Sequence, residues 1–282
     1  MNDTHSAYTD DDGNPRLRHS VTGFLDVLGF SHLSTRSTDR AETQRTLEMI
    51  ATAIRDARAF ARDTLGDSPL ADPSRWSLKF FSDNLVFGFP IDAAGSSPGE
   101  VAWFAVRCVQ RYQLRMALGG YFVRGAASAG DVCLTDEIIF GPALIECYRL
   151  ESKASIVPRV VLTEPLRALL HDALDSSQAR AANARQAICR DIDGWWFINY
   201  LDAARTPTGI DWDLITRHKT SVLASLAGTT QHDVLPKFGW ACRYHNVFCH
   251  WHREDPGYTE SHRIDRTDER STISRLADST TG

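Results

Sequence analysis

The chain has 282 residues, of which 43% are hydrophobic and 24% charged, and its formal net charge is −5 at pH 7. These values are ordinary for a globular protein with one large domain, or with one domain and an extension. The net negative charge argues against non-specific binding to nucleic acid or to an anionic membrane surface, since both are negatively charged themselves.

Both ends of the chain are polar. Residues 1–18 are acidic and contain no apolar stretch like that of a secretory signal, and residues 255–282 are rich in Ser, Thr, Asp and Arg. We therefore expect flexible tails at 1–18 and 255–282. No apolar run approaches the roughly 20 residues that cross a bilayer. The six cysteines lack CxxC spacing, so the sequence predicts a cytoplasmic protein with reduced thiols.

Strand-like and helical segments alternate between the tails. "SVTGFLDVLGF" predicts a strand, residues 41–65 a helix, and "WSLKFF" and "LVFGF" around the turn residues "SDN" a β-hairpin. A helix opened by Pro98 follows, then "GGYFVRGAASAG" and "DVCLTDEIIFG" as a second hairpin, a helix opened by Pro142 and the strand "PRVVLT". This order predicts an α+β fold over residues 19–165: a ferredoxin-like, antiparallel-rich sheet with helices packed on one face.

Residues 166–254 predict a mainly helical extension packed on this core, because no linker-like composition separates the two. The extension contains the aromatic strand "DGWWFINYL" and ends in "KFGWACRYHNVFCHWH". His245 and Cys249 lie one helical turn apart, as two zinc ligands would. The overall spacing matches no strong zinc pattern, and the surrounding aromatic residues favour a packed helix.

Two acidic residues interrupt apolar strands: Asp26 in "GFLDVLGFS" and Asp83 in "LKFFSDNLVFGF". An unpaired buried charge is costly. Strand alternation places Phe24 on the face of Asp26, and Lys79 and Phe81 on the face of Asp83. If the two strands are neighbours, the carboxylates converge on one or two hard cations, which prefer oxygen ligands. Each Asp alone fits an ordinary turn or strand end, so the later segments decide between the two interpretations.

In this order the segments resemble the class III nucleotidyl cyclase catalytic domain. That family begins with F-x-D-[IV]-x-G-F-[ST], matched here by "FLDVLGFS", and has a second metal carboxylate at a hairpin tip, matched by "SDN". Its G-x-x-x-x-G strand is matched by "GAASAG", and its G-x7-R helix by Gly141 and Arg149. The resemblance covers about residues 20–165 and implies an enzyme that works as a head-to-tail homodimer with composite active sites.

The resemblance implies a role for each matched residue. Asp26 and Asp83, with the backbone carbonyl of Val27, would bind two divalent cations, Mn²⁺ or Mg²⁺. Arg149 would reach the α-phosphate from the partner subunit and stabilise the charge that develops there. Backbone N–H groups at residues 29–31 would hold the triphosphate. The full predicted substrate-binding set is Phe24, Gly29, Phe30, Ser31, Lys79, Phe81 and Ile138.

Departures from the family pattern bear on the substrate. Ile145 replaces the asparagine that orients the ribose, and Ile138 replaces the aspartate that accepts from adenine in adenylate cyclases, whereas Lys79 is kept. Lysine donates to carbonyl oxygens, of which uracil has two and cytosine one beside an amino group. The bulky Phe81 and Phe140 would narrow the pocket. Together with "SDN" in place of the family's Gly-Asp and with the aromatic C-terminal extension, these departures resemble the pyrimidine cyclases of Pycsar antiphage defence systems, and they imply UTP in preference to CTP.

This interpretation predicts a phosphorus–oxygen lyase that forms 3′,5′-cyclic UMP and pyrophosphate from UTP for antiphage signalling. The product would act on a separate effector with a cyclic-nucleotide-binding domain. Two alternatives stay open: CTP cyclisation to cyclic CMP, and a degenerate domain that senses a nucleotide, which Ile145 favours. A cation-dependent nuclease or phosphatase is weaker, because no candidate general base accompanies the acids. Taken singly, Lys79 also fits a snorkelling strand lysine and Arg149 a surface ion pair.

Overall fold

The computed structural model describes residues 7–28, 40–65, 70, 72–81, 83–92, 95–175, 186–228, 234–264 and 274–275. The helices are α1 (Arg40–Leu65), α2 (Pro98–Leu118), α3 (Pro142–Lys153), α4 (Glu164–Asp175), α5 (Trp212–Ala227) and α6 (Leu235–Trp251). The strands are β1 (Arg18–Val27), β2 (Ser77–Phe81), β3 (Asn84–Pro90), β4 (Val123–Leu134), β5 (Ile139–Phe140), β6 (Val160–Leu162), β7 (Ile188–Arg190), β8 (Trp196–Ile198), β9 (Arg205–Thr206), β10 (Gly209–Ile210) and β11 (Ser274–Arg275). Short 3-10 helices lie at Pro73–Arg75, Tyr200–Ala204 and Glu260–His262. None of the helices in these ranges is long and apolar enough to cross a membrane.

The main sheet has the strand order β11-β7-β8-β6-β4-β1-β3-β2. β1 runs antiparallel to both β3 and β4, and β2 runs antiparallel to β3. The first four strands therefore form the order β4-β1-β3-β2 of a ferredoxin-like βαββαβ unit, with α1 and α2 as its helices. β6 joins parallel to β4, and β8 and β7 continue the sheet in antiparallel fashion. The predicted α+β class and ferredoxin-like core are confirmed.

Helices cover both faces of this sheet, so the expectation of a single helical face is wrong. Leu25 and Phe87 pack in a core cluster with Ile50 of α1 and Val109 of α2. The alternating residue Phe24 belongs to a second cluster on the opposite face. The residues that α3 contributes to that second cluster are Ala143, Leu144 and Cys147. Because β1 and β3 are apolar on both faces, each face needs cover from the rest of the chain.

The predicted second hairpin is instead one long strand with a short return. β4 pairs with β1 over the whole stretch from Arg18 opposite Val132 to Val27 opposite Val123, so Gly130 does not interrupt it. Only the two residues of β5 fold back, placing Phe140 opposite Cys133.

Gly141 sets the start of α3. Its φ of +147° is unfavourable for other residues, and a Cβ there would overlap the backbone carbonyl oxygen of Asp131. Pro142 then occupies the first turn, where its missing N–H costs nothing. Only glycine therefore lets α3 begin directly against β4.

Parts of both expected tails pack on the body of the protein. Tyr8 is fully buried, and its hydroxyl donates to Oγ of Ser20 at 3.0 Å. At the other end Ile264 is buried, and its N–H donates to Oδ1 of Asn246 at 2.8 Å. Residues 274–275 form β11 against β7. Polar composition was misleading here, because one buried anchor is enough to hold an otherwise polar segment. Residues 1–6, 265–273 and 276–282 of the tails lie outside the described ranges.

The extension packs through its own aromatic cluster, which includes Phe197, Tyr200, Trp240, Tyr244 and Phe248. The buried guanidinium of Arg159, just before β6, pairs with Asp191 and Asp193 after β7. Nε1 of Trp240 on α6 donates to Oδ2 of the same Asp191 at 2.7 Å. A core strand, the extension sheet and α6 thus share one buried polar network.

Two histidines of the extension form a buried hydrogen-bonded chain. Nε2 of His245 lies 2.8 Å from the carbonyl oxygen of His262 and must donate to it. Nδ1 of His245 is then the acceptor for Nδ1 of His218 at 3.0 Å, and Nε2 of His218 accepts from the hydroxyl of Tyr200 at 2.8 Å. Burial lowers the pKa of both imidazoles, so both are neutral in this arrangement.

Candidate active site

Two rows of side chains cross the α3 face of the sheet near one end of β1. Directly paired residues on neighbouring strands project to the same face. The first row runs from β2 to β4 through Phe81, Asn84, Asp26 and Arg124. The second row lies two residues further in and consists of Lys79, Val86, Phe24 and Ala126. Four residues that the sequence singled out, Phe24, Asp26, Lys79 and Phe81, therefore share one face.

Asp83 lies in the hairpin turn beside the end of β1. Its backbone carbonyl accepts from the N–H of Val27 at 3.3 Å, and its Oδ1 accepts from Nδ2 of Asn84 at 3.0 Å. Asn84 is in turn the direct strand partner of Asp26. The structure thus brings Asp26, Val27 and Asp83 together at the adjoining ends of β1 and the β2–β3 hairpin.

Asp26 is a perturbed carboxylate. The pKa of Asp26 is raised to about 6, chiefly by burial; the guanidinium of Arg124 opposes this rise, and the negative charges of Glu151 and Asp83 add to it. Nε of Arg124 lies 2.9 Å from Oδ2 of Asp26. Since a cation at this site would offset the same burial and repulsion, the local electrostatics favour positive charge beside Asp26.

Arg124 and Glu151 were missed by the sequence analysis. Nη2 of Arg124 lies 2.7 Å from Oε1 of Glu151 on α3. The available signal was a basic residue in the apolar strand "FVRGAAS". Only the register of β1 against β4 places Arg124 directly opposite Asp26.

The donor set at this end of the sheet fits a hard divalent cation. Carboxylate oxygens of Asp26 and Asp83 and the carbonyl oxygen of Val27 are the ligand types that Mg²⁺ and Mn²⁺ prefer. Within the described residues, no group of three or more His, Cys, Asp or Glu side chains comes together to hold a metal ion. A two-carboxylate site suits cations whose remaining ligands are phosphate oxygens and water.

Arg149 does not join Asp26 within one protomer. It is exposed on α3, whereas Glu151, two positions further on, is buried against the sheet. Two positions correspond to about 200° around a helix, so these side chains leave opposite sides of α3. The solvent side around Arg149 also carries apolar residues. The exposed large apolar side chains of α3 and β5 are Ile139, Phe140, Ile145 and Tyr148.

Lys79 is paired with an acid that the sequence analysis did not consider. Its Nζ forms an ion pair with Oδ1 of Asp136, in the turn between β4 and β5. The hydrogen bond from Lys79 lowers the pKa of Asp136, which therefore stays ionised. In the same turn, the N–H of Ile138 donates to Oγ1 of Thr135 at 3.0 Å. The turn thus brings Asp136 and Ile138 close to Lys79 of β2, and the ammonium donor of Lys79 lies beside the carboxylate acceptor of Asp136.

Aromatic rings flank this neighbourhood. The ring of Phe24 is buried, 5.3 Å from the ring of Tyr148 in an edge-to-face contact and 6.4 Å from that of Phe81. Phe81 itself is 45% exposed. The ring of Phe81 is therefore exposed enough to contact a ligand, whereas the ring of Phe24 is buried and packs against Phe81 and Tyr148. The predicted triphosphate loop of Gly29, Phe30 and Ser31 lies outside the described residues.

Comparison with known proteins gives structural likenesses only. No protein-family model and no curated protein sequence matches the chain. The adenylyl cyclase CyaB from P. aeruginosa is similar at 16% identity and a TM-score of 0.45, over 65% of this chain and 94% of that one. The guanylyl cyclase Cya2 (15%, TM-score 0.38) and an adenylate/guanylate cyclase/hydrolase from Silicibacter pomeroyi (18%, TM-score 0.40) also match 65% of this chain, over 92% and 98% of their own. With TM-scores below 0.5, these likenesses carry no argument about activity.

Proposed function

We propose that this protein is a metal-dependent uridylate cyclase that converts UTP to 3′,5′-cyclic UMP and pyrophosphate. The observation that carries the proposal is the meeting of Asp26 and Asp83 at the adjoining ends of β1 and the β2–β3 hairpin of a ferredoxin-like sheet. This is the placement that the resemblance to class III nucleotidyl cyclases requires of the two metal-binding carboxylates.

Each residue of the site then has a defined task. The carboxylates of Asp26 and Asp83 and the carbonyl of Val27 hold two divalent cations, Mn²⁺ or Mg²⁺. When bound, such cations supply activation of the ribose 3′-hydroxyl and neutralisation of charge on the leaving pyrophosphate. Backbone N–H groups of Gly29, Phe30 and Ser31 bind the triphosphate.

A second copy of the chain completes the site. Arg149 leaves α3 on the side opposite the Arg124–Glu151 contact, so it does not serve Asp26 of its own protomer. In a head-to-tail dimer, Arg149 of the partner subunit stabilises the charge on the α-phosphate. Docking of the second copy also covers the exposed apolar side chains of α3 and β5, which are costly to leave in water.

The base is read by Lys79 and Asp136. A uracil edge presents a carbonyl oxygen beside the N3–H group, which matches an ammonium donor beside a carboxylate acceptor. Ile138 offers no hydrogen-bonding side chain, and the half-exposed Phe81 borders the same surface. Cytosine presents an amino group beside a ring nitrogen. The carboxylate of Asp136 would accept from the amino group, and the ammonium of Lys79 would donate to the ring nitrogen. A CTP cyclase is therefore the alternative within this class.

A nucleotide sensor is the alternative from another class. Ile145 stands where the resemblance expects the ribose-orienting asparagine, and it is exposed on α3. A domain that binds nucleotide but lacks this contact would hold the substrate without turning it over. In the cyclase interpretation, the product acts in the cytoplasm on a separate effector with a cyclic-nucleotide-binding domain, as part of antiphage defence.

One experiment separates these functions. The purified protein is incubated with each of the four NTPs and Mn²⁺, and the products are identified by chromatography and mass spectrometry. Cyclic UMP with pyrophosphate is the expected main product. Cyclic CMP as the main product would establish the CTP alternative, and nucleotide binding without any product would establish the sensor. Failure to bind or convert any NTP would overturn the proposal.

A further inference from the structure

Arg124 joins the candidate metal ligand Asp26 to the helix that carries Arg149. Its Nε lies 2.9 Å from Oδ2 of Asp26 on β1, and its Nη2 lies 2.7 Å from Oε1 of Glu151 on α3. One planar guanidinium therefore contacts carboxylates from two different elements. The point charge of a lysine on its flexible stem does not reproduce this two-sided geometry.

The three side chains are largely shielded from solvent. The exposed fractions are 15% for Asp26, 24% for Arg124 and 6% for Glu151. Oε2 of Glu151 accepts from the hydroxyl of Ser152 at 2.9 Å, whereas Oε1 makes no hydrogen bond and has Arg124 as its ion-pair partner. Salt screens such partly buried pairs less than it screens surface pairs.

The backbone around Arg124 is anchored as well. The N–H of the next residue, Gly125, donates to Oγ of Ser155 just after α3, at 3.1 Å. A Cβ at Gly125 would overlap the carbonyl oxygen of Phe24, so β4 lies unusually close to β1 at this point. The guanidinium thus projects from a strand that is tied on one side to β1 and on the other to the end of α3.

We propose that Arg124 is a positioning residue for the metal centre: anchored on Glu151, its guanidinium holds Asp26 through Oδ2 and directs Oδ1 to the cation. The same bridge links the orientation of Asp26 to the seating of α3, the helix that presents Arg149 to the second copy. This inference rests on the proposed function for the role of Asp26 as a metal ligand and for the second copy that receives Arg149. Metal binding without nucleotide tests it independently of turnover.

The experiment is a Mn²⁺ titration of the nucleotide-free full-length chain, followed by the EPR signal of free Mn²⁺. The variants are Arg124→Gln, Arg124→Lys, Glu151→Gln and the double variant Arg124→Gln/Glu151→Gln, with Asp26→Asn as the variant that lacks the ligand. Glu146→Gln is the matched control, because Glu146 is an α3 acid that binds the hydroxyl of Ser128 instead. Thermal unfolding checks that each variant is folded.

We expect Arg124→Gln to weaken Mn²⁺ binding by about tenfold or more, as loss of a group that orients a metal ligand does. Arg124→Lys should not restore it, since charge without the bridge is insufficient. Glu151→Gln should also weaken binding, but should add nothing in the Arg124→Gln background because it acts through Arg124. Glu146→Gln should bind like wild type. If Arg124→Gln does not fold, Arg124→Lys and Glu151→Gln provide the same test.

Three results would overturn the inference. Tighter Mn²⁺ binding by Arg124→Gln would show that the guanidinium acts only as a repelling charge. Wild-type affinity in Arg124→Lys would show that charge alone is needed. Independent, additive effects of Arg124→Gln and Glu151→Gln would show that Glu151 acts directly.

Failure of this inference is distinguishable from failure of the proposed function. If Mn²⁺ binding depends on Asp26 but not on Arg124, Arg124 has no positioning role, and the cyclase proposal is unaffected. If the variants bind Mn²⁺ as expected but the wild-type protein forms no cyclic nucleotide, the positioning role is supported and the cyclase proposal is excluded. A wild-type chain that binds no Mn²⁺ without nucleotide overturns the positioning role, and the incubation with the four NTPs then decides the cyclase proposal by itself.

Discussion

Lys79 on β2 and Asp136 in the β4–β5 turn form an ion pair across 57 residues of chain. The pair lies beside Ile138 and on the sheet face that carries Asp26. It supplies one donor and one acceptor where the resemblance to cyclases expects the base of the substrate.

Substitution of this pair tests base reading. Losing a hydrogen bond to a charged partner costs about 1.5–3 kcal/mol, so Lys79→Ala should lower UTP turnover by roughly ten- to hundredfold. Asp136→Ala should lower UTP turnover in the same direction. Lys79→Ala should also blur the distinction between UTP and CTP. Glu137→Ala, an exposed acid of the same turn, is the control and should behave like wild type. Product ratios for mixed UTP and CTP provide the measurement. An unchanged ratio in both pair variants would exclude Lys79 and Asp136 from the base site.

The carboxylates are tested by isosteric amides. Asp26→Asn and Asp83→Asn should each abolish cyclisation, since a neutral amide is a poor ligand for a hard cation. Because burial raises the pKa of Asp26, removing its charge should not lower the free energy of unfolding at pH 7. Turnover is measured as pyrophosphate release and stability by urea denaturation. Near-wild-type turnover in either variant contradicts the metal assignment.

Composite sites predict complementation between inactive variants. Arg149→Ala should lower turnover by about a hundredfold or more, the effect of removing a donor aimed at developing charge. When Asp26→Asn and Arg149→Ala proteins are mixed and allowed to exchange subunits, each heterodimer should regain one intact site. Activity should then rise well above that of either variant alone. An absence of recovery despite demonstrated subunit exchange argues against the head-to-tail dimer.

The buried histidine pair predicts loss of stability in acid. Burial lowers the pKa of His245 to about 4 and that of His218 well below 6.5. The unfolded chain therefore binds more protons than the folded one below about pH 6.5, and stability falls as the pH drops toward 4. For His245 alone the loss is on the order of 3 kcal/mol.

Urea denaturation between pH 7 and 4 measures this effect. His245→Gln should be less stable at pH 7, because the hydrogen-bonded chain is broken, and should lose less stability on acidification than wild type. His250→Gln, an exposed histidine of the same helix, should retain the wild-type slope. Parallel slopes for wild type and His245→Gln would contradict the role of the buried pair.

Tyr8 predicts that the N-terminal segment contributes to stability. Truncating a fully buried aromatic side chain typically costs about 3–5 kcal/mol, so Tyr8→Ala should lower the free energy of unfolding by that amount. Tyr8→Phe removes only the hydrogen bond to Ser20 and should cost about 1 kcal/mol. Tyr148→Ala, which truncates an exposed ring, should cost much less than Tyr8→Ala. Equal stability of Tyr8→Ala and wild type would mean that the segment is not anchored.

Local signals were sufficient for most of the core. Pro98 follows the N-cap residue Ser97, which forms a capping box with Glu100, and Pro142 follows Gly141. Such caps, together with strand alternation and the "SDN" turn, act within a few residues and were correctly interpreted. The two ends of the chain were harder to predict, because composition does not reveal that Tyr8 or Ile264 is a buried anchor.

By itself the sequence determined the order of the core elements and the positions of Asp26 and Asp83 at strand ends, since periodicity and turn chemistry are local. Only the tertiary structure decided which side chains meet. Arg124 reaches Asp26 across 98 residues and Asp136 reaches Lys79 across 57. A register shift of one residue in β4 or β2 would turn Arg124 or Lys79 to the other face of the sheet. The charges around the site are therefore set by strand register and helix docking, neither of which is encoded in a short stretch of sequence.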